Sequence, residues 1–320
     1  MLNKYLKTLL NGGVPEKEIN PLQDGLAFFE AGDHDNALPL LQQALEADPH
    51  HVQALIAVGR IHLDQGRYAE AYQPLRGALE LDVKNPQLHY LLGELCYGQG
   101  DITAAESYFA RAILHDADYT DAHIRLGMLL SEMNRYNEAI KCFERAIFLD
   151  RQAVVARYHL AQVCVRLDDH RRALTQLHLV KELHPDYPPV YVLQGEIFYR
   201  LGDHRQAVME FNKAIELGAG DGNVFWLLAN SHLALKAKDK ALRAFLQAIE
   251  HDPENWAAYH QAAMIQEEMK RFAQAQQNYN VLLRVPEFQE AASQGVARIE
   301  TLLAEIAATL AGDPTEAPSS

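Results

Sequence analysis

Cysteine is scarce: Cys96, Cys142 and Cys164 are the only three in 320 residues. An odd, widely spaced set makes neither a disulfide framework nor a zinc cluster, and no Cys-x-x-Cys occurs. That usage leads us to expect a reducing, cytoplasmic setting. Long apolar runs are also missing. No stretch approaches the ~20 apolar residues of a membrane helix, and residues 1–10 lack the apolar core and cleavage site of a signal peptide. Basic residues are outnumbered, 29 Lys and Arg against 43 Asp and Glu, for a formal net charge of −14. Binding a phosphate backbone needs clustered cations that release counterions, and an anionic membrane surface needs the same. Neither nucleic acid nor membrane insertion is therefore expected.

Chemistry-bearing constellations are equally thin. No glycine-rich phosphate loop is present. The fifteen histidines include no two that are three or four apart, so no pair shares a helix face as a helical metal site requires. His50 and His51 are loop neighbours that point apart. His170 and His204 recur at one turn position, where solvated histidines are expected. Asp168-Asp169 and Glu267-Glu268 read as solvent-facing charge. The chain is read as no enzyme, with no metal and no cofactor.

What the sequence does have is repetition, which is sought first because it decides the fold. Steps of 34 residues from Ala37 meet Ala71, Ala105, Ala139, Ala173, Ala207, Ala241 and Ala275. A second small column runs Gly25, Gly59, Gly93, Gly127, Ala161, Gly195, Ala229 and Ala263. Sixteen residues later stands a column of large side chains: Leu41, Leu75, Phe109, Phe143, Leu177, Phe211, Phe245 and Tyr279. Two helices that cross closely need small residues at the crossing and large ones beside it. Each unit therefore reads as helix, tight turn, helix. Gly32, Gly66, Gly100, Asn134 and Gly202 suit the left-handed turn that ends the first helix. Asp168, Lys236 and Lys270 stand at the same position and should be mildly strained. Asp48-Pro49, His184-Pro185 and Asp252-Pro253 stop second helices.

This pattern resembles the tetratricopeptide repeat family over residues 18–289. The resemblance implies an all-α, right-handed α-solenoid with terminal capping helices. It also implies a concave groove, lined by first helices, that takes a peptide or helix of a partner protein. The expected organisation is a short helix and linker at 1–17, eight repeats at 18–289, a capping helix at 290–311 and a disordered tail at 312–320. At the front, Asn20-Pro21 with Gln23 reads as an N-cap, a proline at the first helical position and a box partner. Leu2, Leu6, Leu9 and Leu10 suggest a short helix before it. At the end, Val296, Ile299, Leu303, Ile306 and Leu310 recur at spacings of 3 and 4, an amphipathic stripe. That stripe suits a cap or a coiled-coil seam between two copies.

By the same resemblance, the fifth position of each first helix faces the groove: Leu22, Ile56, Tyr90, Ile124, Tyr158, Val192, Trp226 and His260. The ninth adds Arg60, Glu94, Met128, Gln162 and Asn230. The twelfth adds Phe29, Leu63, Tyr97, Val165, Tyr199 and Leu233. An apolar, aromatic strip of this kind marks an interaction surface. Between residues 154 and 205, seven cations stand against six acids in an otherwise acidic chain. Arg125, His159, Arg166 and Arg200 are expected to form a mildly positive floor for an acidic segment or terminal carboxylate, Arg200 pairing alternatively with Glu196. The lysine and asparagine set of the family's chaperone-tail clamp, and its asparagine ladder, are both missing. The leading expectation is an adaptor that grips a peptide or helix in its groove. The alternatives are a scaffold that self-associates through its terminal helices and a chaperone for an export or assembly client.

Overall fold

The 34-residue period becomes physical in a computed structural model, which describes residues 20–311. These residues form seventeen α-helices and no strand. The structure divides into two compact units, residues 1–156 and 157–320. Unit 1 holds α1 (Pro21–Glu30), α2 (His34–Ala47), α3 (Val52–Asp64), α4 (Tyr68–Leu81), α5 (Pro86–Gly98), α6 (Ile102–His115), α7 (Thr120–Glu132) and α8 (Tyr136–Leu149). The boundary falls within α9 (Val154–Arg166). Unit 2 continues with α10 (His170–Leu183), α11 (Pro188–Arg200), α12 (His204–Glu216), α13 (Gly222–Ala234), α14 (Lys238–His251), α15 (Trp256–Glu268), α16 (Phe272–Leu282) and α17 (Gln289–Ala311). The sequence expectations for the short helix at residues 1–17 and the tail at 312–320 lie outside the described residues.

Helices pack in chain order within each unit, and most closely within a repeat: α3 on α4 and α5 on α6, then α11 on α12 and α13 on α14. First helices of successive repeats also touch, α3 on α5 and α11 on α13, and so form a row. The small and large columns explain the closeness. A Cβ built on Gly93 would stand 2.6 Å from the Phe109 ring, and one on Gly195 would stand 2.5 Å from Phe211. Phe109, Phe143, Phe211 and Phe245 are fully buried there, each contributing about 2–3 kcal/mol of apolar burial.

The turns follow the sequence reading. Gly32, Gly66, Gly100 and Gly202 have φ between 70° and 80°. Asn134, Asp168, Lys236 and Lys270 are held at the same turn with φ of 58–60°. A left-handed conformation brings Cβ close to the following carbonyl, so these four side chains carry strain that glycine avoids. The second helices α2, α10 and α14 stop at Asp48, His184 and Asp252, directly before the prolines. At the front, the Asn20 side chain accepts from the Gln23 amide at 3.2 Å, but the reciprocal bond differs from expectation. The Asn20 amide donates to Asp24 Oδ2 at 2.8 Å, so Asp24 is the box partner, one residue later than Gln23.

A further recurrence ties first helices to the loops before them. His89 Nε2 donates to Val83 O at 2.9 Å, His123 Nε2 to Ala117 O at 3.0 Å, and the Tyr191 hydroxyl to Pro185 O at 2.6 Å. His89, His123 and Tyr191 occupy one repeat position, and each closes the same six-residue span.

The last repeat is covered by the start of α17. Ala292 and Ile299 are buried beside Tyr279 and Leu282, and Val296 packs on them. Arg298 donates to both Glu267 oxygens at 2.9 and 3.0 Å, and Glu267 also accepts from the Tyr279 hydroxyl. Beyond Ile299 the helix leaves the body: Leu302, Leu303 and Ile306 are 39–46% exposed. The amphipathic stripe therefore covers the last repeat only with its first half.

Candidate functional site

The first-helix row of unit 1 contains a cleft of about 400 Å³. The side chains that form its floor and walls come mainly from α3 and α5. Arg60 and Leu63 lie on α3; Tyr90, Glu94 and Tyr97 lie on α5. Tyr119, Asp121 and Arg125 close it from the next repeat, and Asp64 and Tyr68 from the repeat of α3 and α4. Six of the sequence-predicted residues thus meet here: Arg60, Leu63, Tyr90, Glu94, Tyr97 and Arg125.

Tyr119 was not anticipated, and its position explains why it matters. It is the residue before α7, where His51, Asn85, Asp221 and Asn255 cap other first helices with a side-chain acceptor. Tyr119 makes no such cap. Its ring instead meets Tyr90 edge-on, centroids 5.4 Å apart. In unit 2, Tyr187 likewise leaves α11 without a side-chain cap and meets Tyr158 edge-on at 5.6 Å. A missing cap costs about 1 kcal/mol, so both places give up local stability for an aromatic pair on the first-helix face. Two tyrosines in a column of capping residues were the available sequence signal.

Glu94 holds an ion pair inside the cleft. Arg125 donates to it through Nε and a terminal nitrogen, both at 2.5 Å, and the guanidinium lies 5.3 Å over the Tyr97 ring. The Tyr97 hydroxyl donates to Glu132 at 2.7 Å. Arg60 rests over Phe29 at 5.8 Å. Burial, reinforced by Asp121, pushes the Tyr119 hydroxyl up to about 12. Tyr90 is raised as well, by burial and then by Glu94. Both phenols stay protonated and neutral at ordinary pH.

The four residues expected to form a positive floor each have neighbours of their own. Arg125 belongs to unit 1 and is already held by Glu94. His159 Nδ1 contacts Gln162 Oε1 at 2.8 Å, and Gln162 donates on to the Tyr158 hydroxyl at 3.3 Å. Arg166 and Arg200 are exposed, and both lie close enough to Glu196 to stabilise its carboxylate. Burial raises Glu196 against their pull, with Asp221 adding to the rise. Each of these residues therefore has an acceptor or carboxylate near it, with Arg166 and Arg200 sharing Glu196.

Other expected groove residues are used internally. Ile56 is buried in the core of its repeat. Val192, Tyr199 and Trp226 pack against the core of unit 2, Trp226 also on Phe245 at 5.3 Å and Tyr199 on His204 at 5.6 Å. Asn230 donates back to Trp226 O at 2.8 Å, closing on its own helix. Ile124 and Met128 are half-buried on α7. His170 and His204 are also half-buried, each with Nδ1 shielded from water, and are not solvated turn residues. The first residue of a second helix packs back on the first helix, as His34 does on Phe29. Among the described residues no group of three His, Cys, Asp or Glu is placed to hold a metal. No described helix is long and apolar enough to cross a membrane.

Family models described as tetratricopeptide repeat match residues 28–95 and 97–155, 154–178, 192–255 and 244–277. No curated protein matches the chain. Among solved structures, Pseudomonas aeruginosa pilF is similar at 20% identity, with a TM-score of 0.60 over 68% of this chain and 97% of that one. A tetratricopeptide repeat protein from Parabacteroides merdae is similar at 18% identity, with a TM-score of 0.55 over 77% and 97%. YrrB, described as a TPR protein with an unusual peptide-binding site, is similar at 21% identity, with a TM-score of 0.51 over 58% and 96%. At these identities the likeness establishes the fold.

Proposed function

Because the chain belongs to the tetratricopeptide repeat family, we propose that it is a non-enzymatic scaffold that holds a peptide or helix of a partner protein on the first-helix face, centred on the unit 1 cleft. The observation that carries this reading is the Tyr90–Tyr119 pair, placed where a helix cap would otherwise stand. Tyrosine offers contact area at low entropic cost and a hydroxyl for orientation, as interface hot spots do. The cleft is open, half-buried and already lined with oriented polar groups, which suits an extended segment. The test is panning of a displayed random-peptide library on the full chain and on a Tyr97→Ala, Tyr119→Ala variant whose helicity matches. Peptides enriched on the first and lost on the second support the cleft. Equal enrichment on both places binding elsewhere and sinks the reading.

A second reading rests on its own observation. The end of α17 presents Leu302, Leu303 and Ile306 to solvent, in the 3–4 spacing of a helix seam. Self-association through this seam would show as concentration-dependent mass in sedimentation, abolished when residues 300–320 are deleted. A monomer at all concentrations rules it out.

A further inference from the structure

The charges of the unit 1 cleft are unevenly satisfied, and this points to the chemistry of what enters it. Glu94 and Arg125 neutralise one another. Arg60 lies over the Phe29 ring and keeps its positive charge, which offsets one carboxylate of the lining and leaves the cleft with a net negative charge. Asp64 and Asp121 remain. Asp64 has His34 at 3.9 Å, too far for a hydrogen bond, and Asp121 has no cation within ion-pair distance among the described residues. Glu132 stands beside the cleft and accepts from the Tyr97 hydroxyl. The walls are tyrosine: Tyr90, Tyr97 and Tyr119. Tyrosine faces attract cations through the ring quadrupole. One wall already does so within the protein, where the Arg125 guanidinium lies 5.3 Å over Tyr97.

From this juxtaposition, and resting on the peptide-binding reading above, we propose that the cleft selects a basic side chain of the bound segment, a lysine or arginine set against the Tyr90–Tyr119 pair with Asp121 as its counter-charge and Asp64 adding to the negative charge of the same cleft. An acidic segment, suggested by the sequence for the arginines of the central repeats, would meet an excess of carboxylates here. A purely apolar one would cover Asp64 and Asp121 and leave them without water or a partner, which is unfavourable. A basic side chain gives Asp121 a counter-charge and uses the ring faces. The chain's overall charge of −14 would also draw basic segments toward it.

The probe is the displayed random-peptide library, panned on three full-length proteins: the native chain, Asp64→Asn with Asp121→Asn, and Tyr97→Ala with Tyr119→Ala. The asparagine pair removes charge while keeping shape and tyrosines. On the native chain we expect a lysine or arginine at one fixed position of the selected peptides. Changing that residue to norleucine in a synthetic copy should weaken binding to the native chain by about tenfold and to the asparagine variant hardly at all. A consensus without a basic position that is still lost on the tyrosine variant overturns the charge selection and leaves the peptide-binding reading standing. Enrichment that is the same on all three proteins, or absent from all three, overturns both.

Discussion

At the scale of single residues, the turn position shows how far a local rule reaches. Eight residues spaced by 34 take the left-handed conformation, and four of them are not glycine. Lys236→Gly and Lys270→Gly should each stabilise the protein by about 1 kcal/mol, because the Cβ penalty exceeds the entropy glycine returns to the unfolded chain. Gly100→Ala should cost about the same, although nothing lies within 4 Å of the added Cβ. Urea midpoints measured for the three variants check both signs. These positions were legible because backbone conformation at a turn depends on the residue itself. Arg125 was not legible in the same way. Its partner Glu94 is 31 residues distant, and only the stacking of one repeat on the next decides that they meet.

At the scale of elements, caps and covers set the balance between stability and binding. Tyr119→Asn should restore a side-chain cap to α7. The cap's gain offsets the lost Tyr90 contact, so stability should change by less than about 1 kcal/mol while peptide binding is lost. A denaturation curve beside a binding isotherm separates the two effects. The two halves of α17 should also behave differently. Deleting residues 300–320 should leave the melting temperature of the repeats unchanged, since residues 301–309 are exposed throughout. Ile299→Ala should cost about 2–4 kcal/mol, because Ile299 is fully buried against the last repeat. The stripe itself could be read from spacing. Where the helix leaves the body could not, because the surface beneath it ends and the spacing does not.

At the scale of the whole molecule, histidine burial sets a pH limit. His62, His89, His232 and His260 all have lowered pKa values, each chiefly through burial, with cationic neighbours adding to the effect. Such groups bind fewer protons folded than unfolded. Their stabilisation is present above the unfolded value of about 6.5 and is lost as pH falls through the lower folded values. The melting temperature should therefore drop as pH is lowered from 7 into the range below about 6.5. His89→Tyr should reduce that drop, since it removes one buried imidazole and Tyr191 shows that a tyrosine hydroxyl can make the equivalent loop bond.

The sequence alone determined the repeat length, the crossing columns, the turns and the helix stops. Each depends on residue size or backbone preference at a fixed distance along the chain. Gly93 and Phe109 are sixteen residues apart, and the helix-turn-helix geometry that joins them is nearly the same in every copy. Tertiary structure decided which first-helix side chains remain available. Ile56 went to the core, Asn230 to its own backbone and Arg125 to Glu94, while the uncapped Tyr119 entered the cleft. The reason, for Arg125 and Tyr119, is that their contacts cross between repeats. A small rotation of one helix pair against the next selects among several side chains of similar reach, and the 34-residue period does not encode that rotation.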